Sequence, residues 1–196
     1  MIVVFDMGGV FFNDGLEEVK TKANAAFGIN PKEIDDALRG PFAKEYRIGE
    51  IEPEEFWRRM KDRFKLDDIE LFRRIFFCAY RPQPAIISII TDLKKNNNKV
   101  GFHSNGPRDR SLYLDELYHF RDLFDFGYFS YEAHAWKPEM HFYRYLIQHA
   151  GIDPSDTIYV DDKEDNLVPA SALGMEGVLF ESAEKLRQLF IQRGMI

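Results

Sequence analysis

The sequence predicts an α/β fold, a doubly wound parallel sheet with an inserted all-helical cap. Three observations lead there. From about residue 81 to the end, short apolar runs alternate with segments of helical period, which implies parallel strands with helices on both faces. The chain opens on another such run, Ile2 to Phe5, closed by Asp6 and by Gly8-Gly9. Between the two, residues 15–81 carry helical periodicity and almost no strand signal. An insertion after the first strand of such a sheet covers its C-terminal edge, where open α/β sheets bind ligands. The predicted division is 1–14 plus 82–196 for the α/β core and 15–81 for the cap.

Each element has its own signal. Ile2–Phe5 is apolar and β-branched, the pattern of a buried parallel strand. In the cap, Leu16, Val19, Ala23, Ala26 and Phe27 recur at helical spacing and Gly28 stands where a helix stops. Pro31 opens a second helix that ends near Gly40-Pro41, and residues 42–48 form a third. Pro53-Glu-Glu places proline at a first helical position with acids in the first turn. Asp67-Asp68 opens the last cap helix.

The core then reads as a helix over 85–95, broken by Asn96-Asn97-Asn98, and a strand over 99–103 ending at Ser104-Asn105-Gly106. A mostly helical stretch follows over 112–124, then a strand over 126–130. A helix over 138–150 turns Phe142, Tyr145, Leu146 and His149 inward and stops at Gly151. A strand over 156–160 ends in Asp161-Asp162. A helix over 164–173 contains Pro169, and a strand over 177–180 and a helix over 183–192 close the chain.

Composition narrows the function. The 196 residues are 45% hydrophobic, enough for a proper core. A net charge of −7 argues against a general nucleic-acid binder, while an anionic small substrate remains open because a local field can oppose the global sign. The single cysteine, Cys78, excludes an intrachain disulfide and sits in an apolar run, as a structural thiol does. The apolar start lacks a basic leader and nothing approaches a membrane span. A cytoplasmic protein with no membrane partner is the expectation.

Three strands end in polar residues: Asp6, Ser104-Asn105 and Asp161-Asp162. Lys137, in Trp136-Lys137-Pro138, precedes a helix. These residue types suit phosphoryl transfer. A carboxylate can attack phosphorus, and a second acid can hold Mg²⁺, which prefers oxygen ligands. A hydroxyl, an amide and a lysine can offset the charge that develops on the phosphoryl oxygens.

In residues, order and spacing the chain resembles the haloacid dehalogenase superfamily, in its phosphatase branch with a helical cap between the first two motifs. Val3-Val-Phe-Asp-Met-Gly-Gly-Val10 resembles the first motif, Phe102-His-Ser-Asn105 the second and Lys137-Pro138 the third. Ile158-Tyr-Val-Asp-Asp-Lys-Glu-Asp-Asn166 resembles the fourth in its D-D-x-x-x-N form, which is similar to bacterial sugar-phosphate phosphatases and to the phosphatase domain of soluble epoxide hydrolase. The resemblance implies a Rossmann-like sheet and a Mg²⁺-dependent phosphomonoesterase acting through an aspartyl phosphate on a small phosphorylated metabolite, a sugar phosphate first. By it, Asp6 is the nucleophile and a metal ligand, Gly8 gives its carbonyl to the metal, and Asp162 is the second acidic ligand. Ser104, Asn105 and Lys137 hold phosphate, Lys137 also neutralises the aspartyl phosphate, and Asp161 and Asn166 support the site.

Two positions depart from that pattern. The usual first motif is D-x-D, with the second acid as proton donor, and here that position is Gly8. Asp14, His134, a cap residue, a substrate hydroxyl or water are the replacements open to it. His134 stands where glycine is common, and Trp136 adjoins the lysine. The loss at Gly8 makes a catalytically impaired phosphometabolite-binding protein the first alternative. A 2-haloacid dehalogenase is the second, and the chain lacks the D-x-Y-G-T of that branch. Asp14 reads otherwise as a helix cap, His103 as a strand residue packed under the site, and Arg58, Arg59, Arg73 and Arg74 as solvated cap residues of which one could reach a substrate.

Overall fold

Alternation of side chains along three apolar strands sets up the centre of the molecule. In the computed structural model, which describes residues 1–196, β1 (Ile2–Phe5) lies between β2 (Lys99–Ser104) and β4 (Thr157–Asp161), with β3 (Phe126–Phe129) and β5 (Glu176–Leu179) at the edges. All four pairings are parallel, in the order β3-β2-β1-β4-β5. Phe5 pairs with Phe102 on one side and with Val160 on the other, so the C-terminal ends of the three central strands finish level.

One sheet face carries Val3, Phe5, Val100, Phe102, Ile158 and Val160 into the main core. The other carries Val4 and Tyr159 against Tyr143, Leu146 and Ala170. Helices α6 (Pro84–Lys95) and α11 (Ala183–Gln192) cover the first face, and α9 (Met140–Ala150) and α10 (Glu164–Ala172) the second. Helix α7 (Arg108–Tyr118), a 3₁₀ turn (Phe120–Leu123) and the single-turn α8 (Ser130–Ala133) complete the core.

The insertion between β1 and β2 is helical throughout: α1 (Leu16–Phe27), α2 (Pro31–Arg39), α3 (Pro41–Arg47), α4 (Pro53–Phe64) and α5 (Ile69–Cys78). Proline opens α2, α3 and α4, where its missing N–H costs nothing. Asn30 and Asp68 cap α2 and α5 by accepting from Lys32 N and Leu71 N, each at 2.9 Å. Aromatic rings fill the space between the cap helices, with Tyr46 stacked on Phe56 at 3.9 Å and Trp57 edge-on to Phe76 at 5.5 Å.

The chain leaves and re-enters the core side by side. Phe12 bridges Pro82 in antiparallel fashion. Asn13 donates through Nδ2 to the Ala79 carbonyl at 3.0 Å and accepts from Arg81 N at 2.6 Å. Gln83 N donates to the Phe11 carbonyl at 2.8 Å.

The structure departs from the sequence-based expectations in a few places. Helix α7 begins at Arg108 and ends at Tyr118, because His119 takes a left-handed conformation (φ 48°) and the stretch continues as 3₁₀. Helix α9 begins at Met140, since Trp136–Glu139 close a turn first. Its buried face is Phe142, Tyr143 and Leu146, while Tyr145 and His149 stack on each other outside it at 3.8 Å. Strands β4 and β5 are offset by one residue from the expected spans. Cys78 is half-buried, with Sγ 3.1 Å from the Tyr113 hydroxyl. No helix is long and apolar enough to cross a membrane.

Candidate active site

The level strand ends bring Asp6, Ser104 and Asp162 to one crevice, a cavity of about 390 Å³ between core and cap, with Asp161 fully buried outside its lining. Lys137 reaches it from the loop before α9. Its Nζ is 2.6 Å from Asp6 Oδ1 and 2.8 Å from Asp161 Oδ2, and all three side chains are buried. One ammonium therefore faces two carboxylates, and Asp162 adds a third. Ligand oxygens of Asp6, Asp161 and Asp162 all lie within 4.8 Å of one another.

The two adjacent acids of the fourth-motif segment differ sharply. Asp161 is fully buried and both its oxygens are occupied: Oδ1 accepts from Asn166 Nδ2 at 2.8 Å and from Lys163 N at 3.0 Å, and Oδ2 accepts from Lys137. Asp162 faces the cavity with a buried Oδ1 that has no hydrogen-bond partner, the exposed Lys163 ammonium lying 4.0 Å away. An unsatisfied buried carboxylate oxygen costs stability unless a cation meets it. The donor set, with Mg²⁺'s preference for hard oxygen ligands, fits such a cation.

Electrostatics point the same way. Burial first, and then the charges of Asp161 and Asp162, push the Asp6 pKa up to about 7 against the pull of Lys137. Burial alone would lower the Lys137 pKa, but Asp161 and Asp6 together outweigh it and hold the ammonium charged. The cluster has more negative charge than one lysine neutralises.

The supporting residues take distinct places. The side-chain amide of Asn105 is committed to the backbone of Lys137, donating to its carbonyl at 3.0 Å and accepting from its N–H at 2.8 Å. It thereby fixes the loop that presents the lysine, while Ser104 lines the cavity. Gly8 also lines the cavity, and a Cβ built on it meets nothing within 4 Å. Gly9, at φ +88°, is different: its Cβ would stand 2.6 Å from Asp162 Oδ2.

His134 is exposed, at φ 48°, and its Nδ1 lies 3.1 Å from the Ile48 carbonyl, a tie between core and cap. That left-handed backbone is the physical reason a glycine suits the position. Asp14 lines the cavity and accepts from Leu16 N at 3.1 Å ahead of α1. His103 is buried under the site with Nδ1 2.6 Å from the Tyr159 hydroxyl. Arg58, Arg59, Arg73 and Arg74 do not line the cavity, and the first three pair with Glu55, Asp62 or Glu70. The arginines that do line it are Arg39, Arg47 and Arg110. Periodicity cannot separate these from solvated arginines, because which faces of α2, α3 and α7 turn to the cavity depends on how cap and core pack.

A family model of haloacid dehalogenase-like hydrolases matches residues 1–174. The chain belongs to the haloacid dehalogenase-like hydrolase family. This haloacid dehalogenase-like hydrolase is 28% identical over 178 residues to a sesquiterpene phosphatase of Aspergillus oryzae, covering 89% of the chain and 87% of that protein. It is 24% identical over 185 residues to a flavin mononucleotide hydrolase of Arabidopsis thaliana, covering 94% of the chain and 74% of that protein. Its fold matches that of a family enzyme from Bacteroides thetaiotaomicron, solved in complex with magnesium and inorganic phosphate, with a TM-score of 0.79 at 23% identity over 96% of the chain and 98% of that structure.

Proposed function

We propose that this hydrolase is a Mg²⁺-dependent phosphomonoesterase of small phosphorylated metabolites, sugar phosphates first among them, working through an aspartyl phosphate on Asp6. The observation that carries the reading is the buried Asp6–Lys137–Asp161 arrangement beside the orphaned oxygen of Asp162. Asp6, the Gly8 carbonyl and Asp162 would hold Mg²⁺, which when bound supplies a Lewis acid for the phosphoryl oxygens. The Asp6 carboxylate attacks phosphorus, the bond to the leaving oxygen breaks, and that oxygen takes a proton. Water then attacks the acyl phosphate, releasing inorganic phosphate and restoring Asp6. Lys137 stays charged through both steps and offsets the phosphoryl charge, and Asn105 keeps it in place. Ser104 contributes a hydroxyl to the phosphate.

The related sesquiterpene phosphatase and flavin mononucleotide hydrolase support the reaction class and have unlike substrates. A bacterial enzyme of this fold holds magnesium and phosphate together. A cytoplasmic setting belongs to the same proposal, supported by a lone cysteine that forms no disulfide. The test is phosphate release from a panel of sugar phosphates and p-nitrophenyl phosphate, with Mg²⁺ and with a chelator. Metal-dependent release that disappears in Asp6→Asn is expected; full activity in that variant would overturn the assignment. Gly8 favours one second reading, a protein that binds phosphometabolites and turns them over slowly or not at all. Tight binding without phosphate release across the panel identifies it.

A further inference from the structure

Two cations that line the cavity make no ion pair with the protein. Arg47 comes from the C-terminal end of α3 in the cap and Arg110 from the first turn of α7 in the core. Both line the same cavity as Asp6 and Lys137. Neither guanidinium makes a hydrogen bond to protein or an ion pair within 4.0 Å, whereas the other arginine lining the cavity is paired: Arg39 binds Asp35 at 2.9 Å. Nη1 of Arg110 is buried and has no partner.

The nearby carboxylate is already engaged. Asp109 accepts from Trp57 Nε1 at 2.7 Å, from the Tyr46 hydroxyl and from the Arg110 backbone N–H at 3.0 Å, and neither guanidinium pairs with it. Arg110 is instead held from below by rings, its guanidinium 4.1 Å from the centroid of Tyr80 and 5.0 Å from that of Phe76. Stacking on aromatic faces orients a guanidinium and leaves its edge N–H groups for a ligand. The two arginines also feel each other: burial first, and then the charge of Arg110, bring the Arg47 pKa down to about 10. Two like charges that line one cavity and form no ion pair are favoured by an anion that joins them.

We propose that Arg47 and Arg110 form a second anion subsite, and that the substrate carries a phosphate or carboxylate in addition to the phosphate that reacts at Asp6. The proposal rests on the phosphatase reading and narrows its substrate class from phosphomonoesters in general to bis-anionic small molecules. The site spans cap and core, so a bis-anionic substrate bridges the two and draws them together around the reaction. Singly anionic esters leave both guanidiniums without a partner.

The test compares matched probes on the Mg²⁺-loaded full chain: fructose 1,6-bisphosphate against fructose 6-phosphate, and 3-phosphoglycerate against glycerol 3-phosphate. The first pair reads a second phosphate and the second a carboxylate. A kcat/KM advantage of about tenfold or more for the bis-anionic member of at least one pair is expected, carried mainly by KM. In Arg47→Ala and Arg110→Ala that advantage, expressed as a ratio within the pair, shrinks to about one. Arg47→Lys retains part of it. Circular dichroism checks that each variant is folded, and the within-pair ratio is insensitive to a partly unfolded preparation. No advantage in either pair, or an advantage unchanged in both alanine variants, overturns the proposal.

Failure of the parent reading looks different: the wild-type protein then hydrolyses none of the probes or p-nitrophenyl phosphate. Calorimetric binding of fructose 1,6-bisphosphate still reads the subsite in that case. Binding weakened about tenfold or more by Arg47→Ala supports it, and equal binding by wild type and variant removes it.

Discussion

Trp57 Nε1 of the cap donates to Asp109 Oδ2 of the core at 2.7 Å, and the Tyr46 hydroxyl donates to the other oxygen of the same carboxylate. Trp57 and Tyr46 are both buried. One aspartate therefore fastens two cap helices, α3 and α4, to the start of α7.

Asp109→Ala strands both donors. Each stranded group costs about 1–3 kcal/mol, so urea unfolding should show a loss in that range or above. Because the latch seats the cap and the cap holds Arg47, KM should rise more than kcat falls. Asp109→Asn keeps one acceptor and should fall between. A variant with wild-type stability and KM would mean that the cap is seated by its apolar contacts alone.

That latch also shows where sequence reading stops. Three of the four motif segments are legible because strand-tip chemistry is local: Asp6, Ser104 and Asp161-Asp162 each close a short strand. The cap's helices are legible from Pro31 and Pro53 at starts and from Gly28 and Gly40-Pro41 at stops, although Pro41 proves to open α3. Asp109, Arg47 and Arg110 carry no such signal. Their roles exist only once α3 and α7 lie side by side, a long-range packing result with no trace in spacing. The buried face of α9 escapes for a related reason: Phe142, Tyr143 and Leu146 and the pair Tyr145 and His149 both recur at helical spacing, and only the sheet decides which face is covered.

The neighbouring glycines Gly8 and Gly9 should respond in opposite ways to substitution. Gly8 has open space and no positive φ, so Gly8→Asp should fold with a stability change within about 1 kcal/mol. If proton delivery to the leaving oxygen limits the reaction, it should also raise kcat on alkyl phosphates by up to about 10²-fold and change aryl phosphates less. Gly9→Ala combines a disfavoured φ with a collision at Asp162 Oδ2 and should lose stability and most activity. An unchanged alkyl rate in Gly8→Asp would show that another acid already serves.

Lys137→Met removes the one cation between Asp6 and Asp161. Leaving buried charge unpaired costs about 3–5 kcal/mol, which denaturation in chelator measures. Turnover should fall by at least about 10²-fold. Full stability in that variant would indicate that Asp6 takes up a proton instead.

Mg²⁺ should stabilise the folded protein, since the carboxylate cluster exists only there. At 100 times its dissociation constant the gain is about 2.7 kcal/mol. Asp162→Ala should abolish most of that gain and Asn166→Ala only part, because Asn166 acts on Asp161. A thermal shift unaffected by Asp162→Ala would remove Asp162 from the metal site.

His103 gives the stability a pH slope. Burial, and after it the charge of Lys137, hold its pKa well below the ordinary imidazole value. Above about pH 6.5 the residue is neutral in both folded and unfolded chains. Below that, the unfolded chain binds a proton that the folded one refuses, so stability falls as pH falls until the folded pKa is reached. Across that window the loss is about 1.4 kcal/mol for each tenfold rise in proton concentration. Urea midpoints at about pH 7.5 and pH 5 should differ less in His103→Gln than in wild type; equal differences would assign the slope elsewhere.

The chain quits the core at Asn13 and returns at Arg81, and these two residues are bonded to each other. Closing that short neck costs the same whatever lies beyond it, apart from a weak dependence on length. Helices can therefore be added, lost or exchanged beyond Asn13 without moving β1 against β4, and so without moving Asp6 against Asp161. The fold works as a socket with a replaceable fitting. Changes of substrate can accumulate in the helices while the reacting atoms keep their places.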